Sequence, residues 1–367
     1  MRVLILNPIL YTAETDRIPT VSSIKDTMIY TLCTGFVKNG DEPVLVAADC
    51  YKPKEREEYP FPILWFPCVL TPICKPRCLP LLKGLGRYLR CHESEYDYII
   101  SSEVFSLLTL QGAIFAKEKM IIWHELGAHN NLLKKLPSKF WYHIVTKLFF
   151  RDIPVIPRSK AAADFITQFC NNVLSTYIDH SVDLEKIYYS RYKEDYFVVV
   201  SQLIERKHID QIVNHFAEFR NKINENFQLK IIGDGELKKD LEKQVRELHE
   251  EENIKFLGKL NHEKLIPVLA KATALLVNTS KDNNMVSIVE SIAAGTPVVT
   301  SPVPFNASYI KKASLGIVKQ NWNFETLEEV CNKDQLYVNN CIKYRELLSN
   351  VYCAKQFNQV GGSLHQL

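Results

Sequence analysis

No stretch of the 367-residue sequence is apolar for long enough to cross a bilayer. The uncharged runs Val104 to Ala116 and the proline-broken Tyr59 to Cys74 fall short of the roughly 20 residues a spanning helix needs. No export signal is expected at the start either: Arg2 leads into only Val3-Leu4-Ile5-Leu6 before Asn7-Pro8, which reads as a buried strand. The ten cysteines contain no C-x-x-C pair, and Cys74 and Cys78 have no second Cys/His pair nearby. That excludes a zinc ribbon or a disulfide scaffold and points to reduced thiols in a cytosolic protein.

A strong charge of one sign is also absent, with 45 Lys and Arg against 42 Asp and Glu, a net charge of +3. Without a basic excess or a recognised binding motif, nucleic acid is not an expected partner. The small excess is unevenly placed. Residues 1 to 178 carry 21 basic against 17 acidic side chains, and the remainder 24 against 25. Lys75 to Arg90 holds five cations and no acid, and Lys134 to Lys160 holds seven cations against Asp152 alone.

What is present is a chain too long for one hydrophobic core, so two domains are expected. In the second half, short apolar strands alternate with amphipathic helices. Tyr196 to Val200, Gln228 to Ile232, Ile254 to Leu257, Ala274 to Thr279 and Pro297 to Thr300 read as strands. Ile209, Ile212, Val213, Phe216 and Phe219 mark one helix at i, i+3, i+4, i+7 spacing. The first half repeats the theme with strands Val3 to Leu6, Val44 to Ala47, Ile63 to Phe66, Tyr98 to Ser101, Met120 to Trp123 and Val155 to Pro157, and a helix from Asp26 to Val37. The expected fold class is α/β, with two doubly wound, Rossmann-like parallel sheets facing a cleft. Residues 1–178 are expected to bind acceptor and 179–335 donor, with 336–367 forming a helical tail that packs back on the first domain.

Asp282-Asn-Asn-Met-Val-Ser-Ile-Val-Glu290 runs from a strand end into a helix. A helix starting near Val286 would present free N–H groups and a positive dipole end to a diphosphate. Glu290, about 6 Å further along the axis, could then accept both hydroxyls of a ribose, and Asp282 those of the sugar beyond. Two carboxylates eight residues apart are common by chance, and alone would more often be an exposed acid and a salt-bridged helix acid. Gly233-Asp-Gly235 has Lys238 where a dinucleotide fingerprint needs glycine, and no G-x-x-x-x-G-K-[ST] occurs. The two glycines therefore read as a tight strand-to-helix turn.

Taken in order, Val200 to His208, Leu229 to Leu237, Ile254 to Gly258 and Asp282 to Val299 resemble the retaining glycosyltransferases of family 4 (group 1), which have the GT-B fold. The resemblance is close over residues 196 to 320 and architectural elsewhere. It implies a metal-independent hexosyltransferase with no bound cofactor, its nucleotide diphosphate-sugar serving as co-substrate. No D-x-D metal clamp is present. The implied catalytic set is His124, Lys207, Asp282 and Glu290. Ser201, Gln202, Arg206, Lys207, Phe256, Asn283, Asn284, Met285, Val286 and Glu290 would line the donor, and Glu125 and His129 the acceptor side.

This sequence departs from the family at several points. Asp282 replaces the first acid, normally Glu; Gln202 replaces an arginine; and Ile9 to Ser23 lacks the glycines of the family's first loop. Lys207, with Arg206, would carry the missing arginine's cationic role. His124 reads alternatively as a core or capping histidine, with His129 as competitor, and Glu125 as a surface charge.

Lys134 to Arg151 interleaves cations with Phe140, Trp141, Tyr142, Phe149 and Phe150. This suits a helix at a membrane interface, though core aromatics on an ordinary amphipathic helix fit as well. The resulting expectation is retaining transfer of a sugar to a glycan acceptor, lipid-linked and part of cell-surface polysaccharide such as capsule or lipopolysaccharide. The protein would be cytoplasmic and peripheral on an anionic inner membrane face. A nucleotide-sugar epimerase and a catalytically inactive binding protein are the alternatives.

Overall fold

The structure is a computed structural model and describes residues 1–7, 23–53, 57–69, 80–130 and 132–364, without the side chains of Leu132 and Leu133. The glycine-free loop after the first strand, Cys74, Cys78 and the first part of the Lys75 to Arg90 segment lie outside the described residues. The chain forms two compact units, one of residues 1–181 with 350–367 and one of 182–349.

The first unit is built on a parallel sheet of β1 (Arg2–Leu6), β2 (Glu42–Ala48), β3 (Ile63–Phe66), β6 (Tyr98–Ser102), β7 (Met120–His124) and β8 (Val155–Pro157). The strand order is β3-β2-β1-β6-β7-β8. A small antiparallel pair, β4 (Cys68–Val69) and β5 (Leu81–Leu82), lies beyond it. Residues 3–6 of β1 are wholly buried, as expected of a strand covered on both faces. The chain returns here through helix Asn350–Ser363. Phe357 packs on Phe36 and Trp123. Asn350 Nδ2 donates to the Thr31 carbonyl at 3.1 Å, and a Cβ on Gly35 would strike the Asn350 carbonyl. This close approach is why α-helical residue 35 must stay glycine.

The second unit repeats the order as β11-β10-β9-β12-β13-β14, from β9 (Glu194–Val200), β10 (Gln228–Ile232), β11 (Ile254–Gly258), β12 (Ala272–Val277), β13 (Val298–Thr300) and β14 (Gly316–Val318). All its pairings are parallel. Beyond β14 the chain is helical, as Phe324–Asn332, Asp334–Tyr344 and Asn350–Ser363. The crossing back to the first unit comes at Asn350 rather than at 336, because Tyr337, Val338 and Cys341 bury in the second unit.

Candidate functional site

In both sheets the strand order reverses at the centre, between β1 and β6 and between β9 and β12. Such a reversal leaves a crevice at the carboxyl ends, where parallel sheets hold ligands.

At the β9/β12 reversal, the loop after β9 and the loop after β12 are knotted together by charge. Asp282 Oδ1 accepts from Arg206 Nη1 at 2.7 Å, and Oδ2 from Lys207 Nζ at 2.8 Å and from Thr279 Oγ1. The backbone adds Ser280 N donating to the Arg206 carbonyl at 2.9 Å. Burial would raise the Asp282 carboxyl, but the hydrogen bonds from Lys207, Thr279 and Arg206 and the Lys207 charge outweigh it and hold it below the ordinary range. Lys207 is buried, which an ammonium tolerates because it is paired. Asp282 and Lys207 are thus one ion-paired unit carrying, with Arg206, a net single positive charge. Both oxygens of Asp282, expected to meet sugar hydroxyls, are already engaged by protein donors.

Ser201 follows β9 and turns a buried hydroxyl, without a hydrogen-bond partner among the described residues, to the same end. A small recess is lined by Val200, Ser201, Lys207, Thr279 and Met285. The glycines of Gly233-Asp-Gly235 let the next loop close on this one. A Cβ on Gly233 would meet the Ser201 carbonyl, and one on Gly235 the Leu203 carbonyl. Gln202, standing where the family has arginine, is exposed. Phe256 is half-buried and packs against the core cluster that includes Leu229 and Ile231.

The helix Val286–Ala293 begins where the sequence placed it, with Met285 as N-cap and no side-chain cap. The Met285 N–H is taken by Asn306 Oδ1 at 2.7 Å. Asn283 and Asn284 are half-buried in the preceding turn, and Val286 is exposed at its tip. Five residues into the helix, Glu290 is almost fully buried, and that burial pushes its carboxyl up to about 7. His262 Nε2 lies 3.5 Å away but is mostly exposed, too well solvated to offset the burial. A carboxylate needing partners therefore stands one turn behind an uncapped helix end.

The first unit fills the same positions differently. His124, the last residue of β7, has no exposed surface. Its ring packs beside Phe165 and Tyr142, in core rather than at a lip, because the segment 136–149 closes over it. Its Nδ1 is 3.3 Å from Glu103 Oε2. Glu103, which sequence reasoning missed, follows β6 at φ 70°. Its Oε1 accepts the backbone N–H of Glu125 at 2.5 Å and of Leu126 at 3.3 Å. Burial would raise this carboxyl; the His124 charge and these donors hold it down. The only signal in the sequence was an acid directly after a strand.

Glu125 is half-exposed and accepts from Arg158 Nη1 at 2.7 Å, while Arg158 lies 4.2 Å over the Trp123 ring. His129 Nδ1 is 3.2 Å from Ser138 Oγ. Burial, then the charges of His143, Lys139 and Lys135, lower its basicity.

Residues 184–334 match the family model described as glycosyl transferases group 1. No curated protein matches the chain in sequence. Solved structures similar to it over nearly its whole length share its fold. HepE of Anabaena in complex with UDP is 14% identical, with TM-score 0.67, covering 99% of this chain and 100% of that one. Sucrose-phosphate synthase of Thermosynechococcus elongatus is 15% identical, with TM-score 0.66 and coverage of 100% and 99%. The lipopolysaccharide outer core galactosyltransferase WaaB is 14% identical, with TM-score 0.66 and coverage of 99% of each chain. The two sheets in tandem are those of the GT-B architecture.

Proposed function

We propose that the protein is a retaining, metal-independent hexosyltransferase of family 4 that takes its sugar from a nucleotide diphosphate-sugar and passes it to a lipid-linked glycan. The observation that carries this reading is Glu290, buried with its carboxyl raised to about 7, one turn behind the uncapped start of the helix that follows the Asp282 loop, where Asp282 gathers Arg206 and Lys207. A ribose supplies two hydroxyl donors that such a carboxylate lacks, and a diphosphate supplies the negative charge that the knot and the helix end favour. HepE, which shares the fold, was crystallised with UDP. Asp282 serves in this reading chiefly to fix the two cations that stabilise the leaving phosphate, with the leaving oxygen taking the acceptor proton.

The donor test is calorimetric titration with UDP-, GDP- and dTDP-sugars. Binding of one donor and its loss by about 10- to 100-fold in Glu290→Ala, the worth of a charged hydrogen bond, is expected. Binding of none, or no effect of the substitution, sinks the reading. Donor conversion without acceptor would mean an epimerase, and binding without turnover on any glycan acceptor an inactive binding protein.

The membrane part of the reading rests on a face other than the one expected. Trp141, Tyr142 and Phe150 are core, with Trp141 Nε1 donating to the Val104 carbonyl at 2.8 Å. The same segment instead exposes Leu136, Phe140, Ile144 and Leu148, four residues apart, beside exposed Lys134, Lys135, Lys139 and Lys147. No helix among the described residues is long and apolar enough to cross a membrane. An apolar stripe edged with cations suits the surface of an anionic bilayer. Cosedimentation with phosphatidylglycerol vesicles should fall in Leu148→Glu and in high salt; equal pelleting of the variant, or pelleting with neutral vesicles alike, removes this part.

A further inference from the structure

At the edge of the first unit's sheet, far along the chain from any residue assigned above, two cysteines are brought together by strand register. β2 and β3 are paired up to Ala48 opposite Phe66. Cys50 and Cys68 each lie two residues beyond those positions, and neighbouring strands are about 4.8 Å apart. Their sulfurs are 3.0 Å apart, closer than two thiols resting side by side and about 1 Å from a disulfide bond. The Cys68 backbone N–H donates to Asp49 Oδ1 at 3.2 Å, which ties the start of β4 to the turn that carries Cys50.

The two thiols are not equivalent. Cys50 is exposed and Cys68 partly covered. Burial, then the neighbouring Cys50, pushes the Cys68 thiol up to about 12. Cys50 is therefore the sulfur an oxidant in solution meets first, and Cys68 the one placed to attack next.

We propose that Cys50 and Cys68 are a modification site: a dithiol that an oxidised low-molecular-weight thiol, of the glutathione disulfide class, converts reversibly to an intramolecular disulfide. The Cys50 thiolate attacks one sulfur of the oxidant, forming a mixed disulfide and releasing one thiol. Cys68, as its thiolate, attacks the Cys50 sulfur and releases the second. Two protein thiols and one small disulfide become one protein disulfide and two small thiols, so electrons and protons balance. The product clips the exit of β2 to the start of β4.

The test incubates the full chain with glutathione disulfide, quenches with an alkylating agent and maps the peptides by mass spectrometry. The expected result is a Cys50–Cys68 cross-linked peptide with loss of two alkylatable thiols, reversed by dithiothreitol. In Cys68→Ser, a glutathione adduct should instead accumulate on Cys50; in Cys50→Ser, Cys68 should react at least 10-fold more slowly. A stable glutathione adduct on Cys50 in the unaltered protein overturns the proposal. So does pairing of either residue with Cys74 or Cys78, or full alkylation of both after treatment. Unchanged circular dichroism of both serine variants keeps a folding defect from passing as either outcome.

Discussion

The β9/β12 end of the second unit and the β1/β6 end of the first are built on the same strand order and are filled in opposite ways. In the second unit the loops bring a carboxylate and two cations into one knot and leave Glu290 buried, with the mostly exposed His262 ring 3.5 Å away. In the first, the corresponding acid, Glu103, takes two backbone N–H groups on Oε1 and faces His124 at 3.3 Å under an aromatic cover, while Oε2 and the His124 ring nitrogens make no hydrogen bond among the described residues. Topology fixes where a site can be; the residues just past the strands decide whether that place is left needing a ligand or is closed on itself. A site that needs a ligand costs stability until the ligand arrives.

The largest expected effect tests that cost directly. An ordinary glutamate loses its proton near 4.5, and Glu290 near 7 in the folded protein. Between those values the folded protein keeps a proton the unfolded chain has lost, so the stability of the ligand-free protein falls as pH rises through this window. At about 1.4 kcal/mol per pH unit, Glu290→Gln should gain about 3 kcal/mol at pH 8 and nothing at pH 4. Urea unfolding at the two values checks it. An equal gain at both would place the effect in packing, and a loss at pH 8 would mean that Glu290 has a partner in the free protein.

Asp282 should behave in the reverse sense. Its carboxyl is lowered on folding, so its contribution is present above about 4 and lost as pH falls through the lower folded value. Asp282→Ala leaves Lys207 buried and uncompensated. Because Arg206 is a quarter exposed, we expect about 2 kcal/mol at pH 7, below the 3–5 of a fully buried pair. The deficit should close in acid. Lys207→Met made together with it should recover part of the loss, since removing both charges removes the orphan.

In the first unit, Glu103→Ala should cost about 1–2 kcal/mol, the penalty for leaving the Glu125 and Leu126 N–H groups without an acceptor. Donor affinity measured on the second unit's site should not change. A matching loss of donor binding would mean the contrast between the two ends is false.

Much of this arrangement was legible from the residues. The strands follow from apolar runs whose pattern both faces of a parallel sheet demand, and the helix start at Val286 from the polar turn before it. What was not legible is partnership across the sheet. That Asp282 meets Arg206 and Lys207, some 75 residues away, depends on which strands end up adjacent, and no local pattern encodes that. The same holds for Glu103 and His124. Trp141 and Phe140 adjoin in a single amphipathic segment, yet one is core and the other exposed at 59%. Composition shows that the segment is aromatic and basic; only the angle around the helix axis separates the two faces.

The smallest effect concerns a residue that both ends use in their own way, a non-glycine held at positive φ in the connection that leaves a central strand. In the first unit it is Glu103, whose side chain repays the conformation with three contacts. In the second it is His208, at φ 46° and ψ 46°, between the turn Glu205–Lys207 and the helix Ile209–Lys222. A left-handed residue with a Cβ costs roughly 1–2 kcal/mol, and glycine recovers part of it while giving up some entropy in the unfolded chain. His208→Gly should therefore stabilise the protein by about 0.5–1 kcal/mol, whereas Glu103→Gly should destabilise it because the contacts go with the side chain. Denaturant midpoints of the two variants decide the matter. If both move in the same direction, the backbone conformation and not the side chain's employment governs these positions, and the distinction drawn between the two ends fails at its most local point.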